Sequence, residues 1–572
     1  MATRESTQAT EPARAVMTGA QALIRALADE GVEVIFGYPG AATIPIHDVL
    51  MDGKIRHILT RHEQGAAHAA DGYARATGKV GVCLATSGPG ALNLVTGIAT
   101  AHMDSVPIVA ITGQVATPKL GTDAFQEADT LGVTMPLVKH NYLVKDAKDI
   151  ARVVREAFYI ALTGRPGTVV IDLPVDLCYA EVEYERDGDM EMRGYRVDTA
   201  ADPRAISEAG DLLNSASRPV ICAGGGVIAA GASQELLALS ELADIPVVHT
   251  LMGKGAFPDG HPHCLGLLGM HGLPWANHAV RECDLLIAVG MRFSDRSTGA
   301  LARFAPHAKI VHIDIDPAEV GKLRKPDISI VGDAKDVLCA LLEKIAERRR
   351  GEWLGQTANW RDTQQTSQAS EEGRIDFVAI FEAMSRIAGD DAIVTTDVGQ
   401  HQMWAAQYVK TSNPRGFISS GGLGTMGFGL PAAVGAQVAF PDRKVFVIAG
   451  DGSILMNSQE LMTAVEQRLP IKILLFNNGY LGMVRQWQQI FWDRRYASTD
   501  ISAQPDFSAL ASAYGAVGIK VEKESEIAGA LESAMKVNDR PCLLDFHISR
   551  EALVLPMIPA GGSVEDMLLQ VD

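Results

Sequence analysis

Two short polar turns, Gly450-Asp451-Gly452-Ser453 and Asn477-Asn478-Gly479, each follow a run of apolar, mostly β-branched residues (Lys444–Ile448 and Ile471–Phe476). One helical stretch separates them, so they read as the two strand ends of a single βαβ unit. Neighbouring parallel strands put their carboxyl ends side by side, where such sheets bind ligands. Asp451 and Asn478 thereby come within reach of one ion. An oxygen-only pair suits Mg²⁺, which keeps octahedral geometry and bridges to phosphate oxygens. A helix beginning near Ile454 would add free N–H groups and the positive end of its dipole, a fit for a diphosphate. An isolated Asp-Gly turn is commonplace; one paired with Asn-Asn at the next strand end is not.

The elements that must position these residues recur along the chain. Further buried-strand candidates are Val34–Gly37, Val80–Thr86, Ile108–Thr112, Thr168–Leu173, Pro219–Ala223, Leu285–Val289, Ile310–Ile315 and Ile393–Thr396, and they alternate with helical patterns. This predicts an α/β protein of doubly wound parallel-sheet domains. Two polar runs break the alternation, Glu181–Arg196 and Glu347–Arg374, and both read as interdomain linkers. They delimit domains at residues 14–185, 205–346 and 375–550, with a tail at 551–572. The stretches from Lys79 to Gln114 and from Lys444 to Gly479 share one plan of strand, glycine turn, amphipathic helix, proline (Pro107 and Pro470) and strand. They suggest two copies of one domain facing each other across a site.

Composition narrows the class. The 572 residues are 47% apolar and carry a net charge of −18, which argues against nucleic acid or an anionic membrane as the main partner. No apolar run is long enough to span a bilayer, and the polar N-terminus lacks a secretory h-region. Seven scattered cysteines without a C-x-x-C pair fit buried free thiols, hence a cytoplasmic protein without a zinc-thiolate site.

GDGS followed by NN at this spacing resembles the cofactor motif of thiamine-diphosphate-dependent enzymes. The resemblance extends through GYPGAATIPIHD, RHEQGAAHAADGYAR, GTDAFQEAD, GMHGLPWAN, TTDVGQHQMWAAQ, GLGTMGFGLPAA and NNGYLGMVRQWQ. Together these are similar to the acetohydroxyacid synthase (acetolactate synthase) catalytic subunit family. That resemblance implies decarboxylation of pyruvate and condensation with a second 2-keto acid, pyruvate or 2-ketobutyrate. The products would be 2-acetolactate or 2-aceto-2-hydroxybutyrate, on the way to branched-chain amino acids. It implies thiamine diphosphate, Mg²⁺ and FAD, the last without a redox role in the main reaction. It also implies a homodimer or homotetramer with sites between subunits, and a possible small regulatory subunit. The alternative within the same class is another carboligase, an acetyltransferase or a pyruvate oxidase.

Residue by residue, the match assigns Glu63, in a poorly solvated lining of Gly65, Ala66, Ala67, Ala69 and Ala70, to the aminopyrimidine of the coenzyme. Met426 would wedge between its two rings, Gly424 would offer a carbonyl, and Val398 and Gly399 would lie by the thiazolium. Gln400 and His401 would contact the diphosphate; Gly450, Asp451, Gly452, Ser453, Asn478 and Tyr480 would hold diphosphate and Mg²⁺. The glycines Gly421, Gly422, Gly424, Gly427 and Gly429 are read as room for a ligand close to backbone. FAD is assigned to Gly224-Gly225-Gly226, Thr250, Leu251, Met270, His271, Gly290, Met291, Arg292, Asp314, Gly332 and Asp333. Arg296 would take the carboxylate of the second keto acid, a bidentate contact suited to guanidinium. Phe125 and Gln126 would enter from the opposing subunit, and Trp487 would favour 2-ketobutyrate by walling the acceptor pocket. Three departures stand out: Val175 where the family has lysine, Ser294 where it has aspartate, and VATPK after Gln114. The first two put substrate preference in question.

Overall fold

The structure, a computed structural model, describes residues 15–185, 190, 192–364 and 373–571. Its strands, numbered along the chain, are β1 Ala15–Thr18, β2 Val34–Tyr38, β3 Arg56–Leu59, β4 Gly81–Ala85, β5 Ile108–Gln114, β6 His140–Leu143, β7 Thr168–Pro174 and β8 Glu181–Tyr184. Then follow β9 Pro219–Ala223, β10 Val247–His249, β11 Cys264–Leu267, β12 Leu285–Val289, β13 Lys309–Asp314 and β14 Ile328–Val331. The last set is β15 Ile393–Thr396, β16 Phe417–Ile418, β17 Val445–Gly450, β18 Lys472–Asn477, β19 Val517–Val521 and β20 Cys542–His547.

Three six-stranded parallel sheets result, each covered by helices, as near-continuous apolar strands require. The first has the order β3-β2-β4-β5-β7-β6 and the third β16-β15-β17-β18-β20-β19, which is one topology used twice. The repeat read from the sequence thus extends to whole domains. The middle sheet, β11-β10-β9-β12-β13-β14, differs: its first strand lies third, the order of dinucleotide-binding folds.

First and third domains share a continuous core that includes Ala66, Ala70, Ala432, Val447 and Leu475. It closes where the helices Glu63–Thr77 and Gly429–Ala439 meet backbone to backbone. A Cβ on Gly72 would lie 2.1 Å from the Ala432 carbonyl oxygen, and one on Gly435 would lie 1.9 Å from that of Ala69. Small residues in RHEQGAAHAADGYAR therefore serve close helix packing as well as any ligand.

Both expected linkers contain structure. Glu181–Tyr184 pairs antiparallel with Ala15–Thr18, Val182 is buried, and the Tyr184 hydroxyl donates to Asp29 at 2.7 Å. Alternation within EVEY hides one face while the charges point outward, so a charged run still makes a strand. Residues 351–363 form a helix that buries Trp353, whose indole donates to the Pro219 carbonyl at 3.0 Å. Of these runs, residues 186–189, 191 and 365–372 lie outside the described residues, as do residue 14 of the first expected domain and residue 572 of the tail. The tail after residue 550 packs on the third and middle domains: Trp404 and Gln486 donate to the carbonyls of Leu553 and Val554, and the Ile558 N–H donates to Met270. The seven cysteines are free, all but Cys339 buried, and no helix among the described residues is long and apolar enough to cross a membrane.

Replacing Gly72 with alanine is expected to destabilise the protein by about 1–3 kcal/mol, through forced separation of the two helices. Gly355→Ala, where a Cβ meets nothing within 4 Å on a helix, is expected to leave the protein as stable or more so. Thermal unfolding of both variants checks the contrast.

Candidate active site

The site begins at three neighbouring strand ends. β17 pairs with β15 on one side and β18 on the other, and Gly450 lies opposite Phe476. Asp451 follows β17 and is 2% exposed; its oxygens accept the N–H groups of Gly452 at 3.1 Å and of Gly479 at 2.7 Å. Burial pushes its carboxyl up to about 7, so the ionised form lacks a counter-charge. Asn478 accepts the Tyr480 N–H at 3.0 Å and donates to Gln400 Oε1 at 3.2 Å. The structure thus brings Asp451 and Asn478 together, with the guanidinium groups of Arg485 and Arg550 each over the Tyr480 ring, at 4.7 and 4.1 Å. No group of three His, Cys, Asp or Glu side chains converges among the described residues. A cation here would therefore need neutral oxygens and phosphate beside Asp451, the donor set that Mg²⁺ accepts.

The helix expected from Ile454 is different. Asp451–Ile454 is a single turn closed by Ser453, whose hydroxyl donates to the Gly450 carbonyl, and the next helix starts at Glu460. One turn sums few peptide dipoles, so the nine-residue helix Gln400–Tyr408 offers the better N-terminus for an anion. His401 stands in its first turn, buried, with Nε2 lacking a partner. A Cβ on Gly399 or Gly450 would come within 2.7 Å of that ring. The Gln400 side chain, by contrast, is fully engaged: it donates to Gln486 and to the Ala552 carbonyl and accepts from Asn478. It orients Asn478 rather than offering a donor of its own.

Beside this pouch lies a cavity of about 1410 Å³ where all three domains meet, with Met103, Asp104, Tyr159 and Arg165 of the first domain in its lining. Val398, Gly399, Gly424 and Met426 line one end; Gly225, Gly226, Thr250, Leu251, Gly290, Arg292, Asp314 and Asp333 line the other; Met270, His271, Arg296 and Trp487 lie on its wall as well. Gly424 has φ +67° and open space where a Cβ would stand. The other glycines of its loop are explained by protein neighbours: a Cβ on Gly421 would meet Met252, on Gly422 Met103, on Gly427 Asn457 and Met456, and on Gly429 the backbone of Asp397. Gly224 and Gly226 likewise face Gly290, whose carbonyl oxygen would be 2.0 Å from a Cβ on Gly224. Only part of the glycine richness therefore reflects ligand room.

The middle end of the cavity has groups suited to a dinucleotide. Burial pushes the Asp314 carboxyl up to about 6; it accepts the Asp316 N–H and keeps capacity for a hydroxyl donor. Asp333 instead caps the helix Ala334–Leu342 through the N–H groups of Lys335 and Asp336. Arg292 reaches Met103 in the first domain. On the wall, Arg296 lies 5.8 Å from the Trp487 ring, touches Met270 Sδ, and is 4.0 Å from Asp295. Its guanidinium fork is thus largely unspent, and the Trp487 indole N–H is buried without a partner.

Glu63 and Gln126 line no part of this cavity. Glu63 opens the helix Glu63–Thr77, is 9% exposed, and accepts Asn93 Nδ2 at 3.0 Å. Gln126, at φ +59°, presses its backbone on Gly88, and Phe125 beside it is 87% exposed. Within one chain, then, residues of all three domains line this cavity, but not these two.

Several contributors escaped the sequence reading. Asp397 is 1% exposed, accepts the Val398 and Gly427 N–H groups, and has Oδ2 unpartnered; its place next to Val398 at a strand end was the available signal. Asn93 and Glu460 carry no local signal, because their partners are remote in sequence. Glu460, 1% exposed, accepts the Arg61 N–H at 3.0 Å and the Thr463 hydroxyl at 2.7 Å. It thereby tethers the entry to the helix that Glu63 opens.

Comparison with known proteins agrees with this architecture. Residues 17–133 match "Thiamine pyrophosphate enzyme, N-terminal TPP binding domain", 206–341 the central domain and 397–546 the C-terminal TPP binding domain. An "Acetolactate synthase" of Mycobacterium bovis is 48% identical over 563 residues, covering 96% of this chain and 91% of its own. An "Acetolactate synthase large subunit" of Parasynechococcus marenigrum is 50% identical, with 96% and 91% covered. A "Probable acetolactate synthase large subunit" of Methanocaldococcus jannaschii is 50% identical, with 96% and 95% covered. A sheet repeated on either side of a dinucleotide-type domain, matched throughout by these three segments, makes the chain a thiamine pyrophosphate enzyme. Within that class it belongs to the acetolactate synthase family.

Burial holds the Glu460 carboxyl up to about 7. The unfolded carboxyl releases its proton near pH ~4.3, so any stability the proton brings is complete below that pH and lost as pH rises towards about 7. Relative to Glu460→Gln, wild type is expected to lose on the order of 3 kcal/mol across that window, read from urea unfolding at a series of pH values.

Proposed function

We propose that the chain decarboxylates pyruvate and joins the two-carbon unit to a second pyruvate or to 2-ketobutyrate, giving 2-acetolactate or 2-aceto-2-hydroxybutyrate. The observation that carries this beyond the family is the single cavity lined by Val398, Gly424 and Met426 together with Arg296 and Trp487. Thiamine diphosphate supplies, when bound, a carbon nucleophile and an electron sink. Val398 and Met426 give that chemistry a dry, apolar wall, which strengthens each polar contact inside. Arg296 takes the acceptor's carboxylate on its open fork and so orients the keto carbon; the flat Trp487 ring beside it favours one extra methylene.

Asp451 and Asn478, with Tyr480 next to them, are assigned to Mg²⁺ and His401 to the diphosphate, on the uncompensated carboxylate and the orphaned imidazole nitrogen. FAD is assigned to the middle end of the cavity, on its sheet order and on Asp314. Glu63 would hold and relay a proton at the aminopyrimidine, and it is not among the residues that line its own chain's cavity. A second copy, as dimer or within a tetramer, is therefore part of the proposal: its Glu63 and Gln126 would complete the site. The name "large subunit" carried by two of the relatives supports a smaller partner chain as well. Seven free thiols support a cytoplasmic setting.

Purified enzyme with pyruvate is expected to release 2-acetolactate, and added 2-ketobutyrate to divert most product to the longer acid. Trp487→Ala should reduce that preference roughly tenfold. Oxygen consumption in place of acetolactate would instead identify an oxidase. Glu63→Gln is expected to lower kcat by about 10²-fold or more while calorimetry still shows uptake of thiamine diphosphate. Full turnover in this variant would remove Glu63 from the reaction.

A further inference from the structure

The loop from Ser419 to Gly427 carries Gly424 and Met426, yet much of what fastens it comes from the first domain of the same chain. Asp104 follows the helix Val95–Met103, and its side chain is completely buried. One carboxylate oxygen accepts the Gly421 N–H at 3.0 Å and the other the Gly422 N–H at 2.6 Å. The oxygen that serves Gly421 also accepts Arg75 Nη2 at 2.9 Å. Arg75 pairs with Asp71 on its own helix, and its Nη1 donates to the Ser419 carbonyl at 3.0 Å. Beyond the loop's tip, the Thr100 and Thr425 hydroxyls are 2.7 Å apart, and Asp397 accepts the Gly427 N–H at 2.7 Å. The loop is thus pinned on both sides of an open tip, Leu423 and Gly424, where nothing of the protein stands within 3.9 Å of the missing Gly424 Cβ.

We propose that Asp104, backed by Arg75, is a positioning residue for the condensation: it fixes the loop so that the Gly424 carbonyl and the Met426 side chain stand ready for the coenzyme. This rests on the reading that the loop cradles thiamine diphosphate. A carboxylate suits the task because two adjacent N–H groups and a guanidinium all need acceptors, and an ionised acid offers acceptor sites only. An amide of the same shape presents one oxygen and one NH₂. It leaves a loop N–H facing another donor and takes from Arg75 one of its two anionic partners. Asp104 borders the cavity, but its carboxylate oxygens are taken up by Gly421, Gly422 and Arg75, so its effect passes through the loop. Displacement of a catalytic group by about 1 Å costs about a hundredfold in rate.

The test uses the full-length enzyme as wild type, Asp104→Asn and Asp104→Glu. Hydrogen exchange of the peptide spanning the loop is measured without coenzyme. Calorimetry with thiamine diphosphate and Mg²⁺ gives coenzyme affinity, and steady-state kinetics give kcat and KM for pyruvate. In Asp104→Asn the loop is expected to exchange about tenfold faster, coenzyme affinity to fall about tenfold, and kcat about 10–100-fold, with KM for pyruvate within about twofold. Asp104→Glu keeps the charge opposite Arg75 but overreaches by one methylene, so it should fold and still show the faster exchange and lower kcat; it carries the test if the amide variant does not fold. A wild type that takes up no coenzyme overturns the site reading, and this inference with it. A wild type that binds, with variants equal to it in loop exchange, affinity and kcat, overturns the inference alone.

Discussion

A carboxylate sealed at the end of a central strand sets the terms for this molecule. Asp451 accepts the N–H groups of Gly452 and Gly479, and burial above all, with the nearby Asp545 carboxylate, drives its carboxyl to about 7. A protein that keeps an acid there without a partner spends stability for something outside its own chain, and a divalent cation bridging to phosphate is the simplest balance. Much of the third domain serves this point: β15, β17 and β18 deliver Asp397, Asp451 and Asn478 to one edge, while Gln400 holds Asn478 by its amide.

The three domains divide the remaining work according to their topology. All three domains line the large cavity, and the tail beyond residue 550 straps the third and middle ones together through Leu553, Val554 and Ile558. The first domain repeats the topology of the third, yet its Glu63 and Gln126 are not among the residues lining the chain's own cavity. Its contact with the third domain is backbone against backbone, at Gly72 with Ala432 and Gly435 with Ala69, a joint that tolerates little sliding.

Most of this was legible in the residues. Strand runs such as Pro219–Ala223 and Leu285–Val289 fell where the structure has them, because buried parallel strands are apolar without interruption. Asp451 and Asn478 could be paired because one βαβ unit forces its strand ends together. What stayed hidden depends on contacts far apart in sequence. EVEY looked like linker until β1 was found beside it, and Gly421, Gly422 and Gly427 looked like ligand room until Met252, Met103 and Asn457 filled it. Asn93 against Glu63 and Asp104 against Gly421 join positions that no local pattern relates. The helix expected at Ile454 failed for a local reason: the Ser453 hydroxyl bonds back to Gly450 and closes the turn early.

The assignment turns on whether Asp451 answers to a metal. Binding of thiamine diphosphate to the pure enzyme, followed by calorimetry across a Mg²⁺ titration in wild type and Asp451→Asn, addresses that directly. The account requires tight uptake by wild type that rises with Mg²⁺ and vanishes with a chelator, and affinity at least about tenfold weaker in the variant. Uptake that ignores both the ion and the substitution would contradict it.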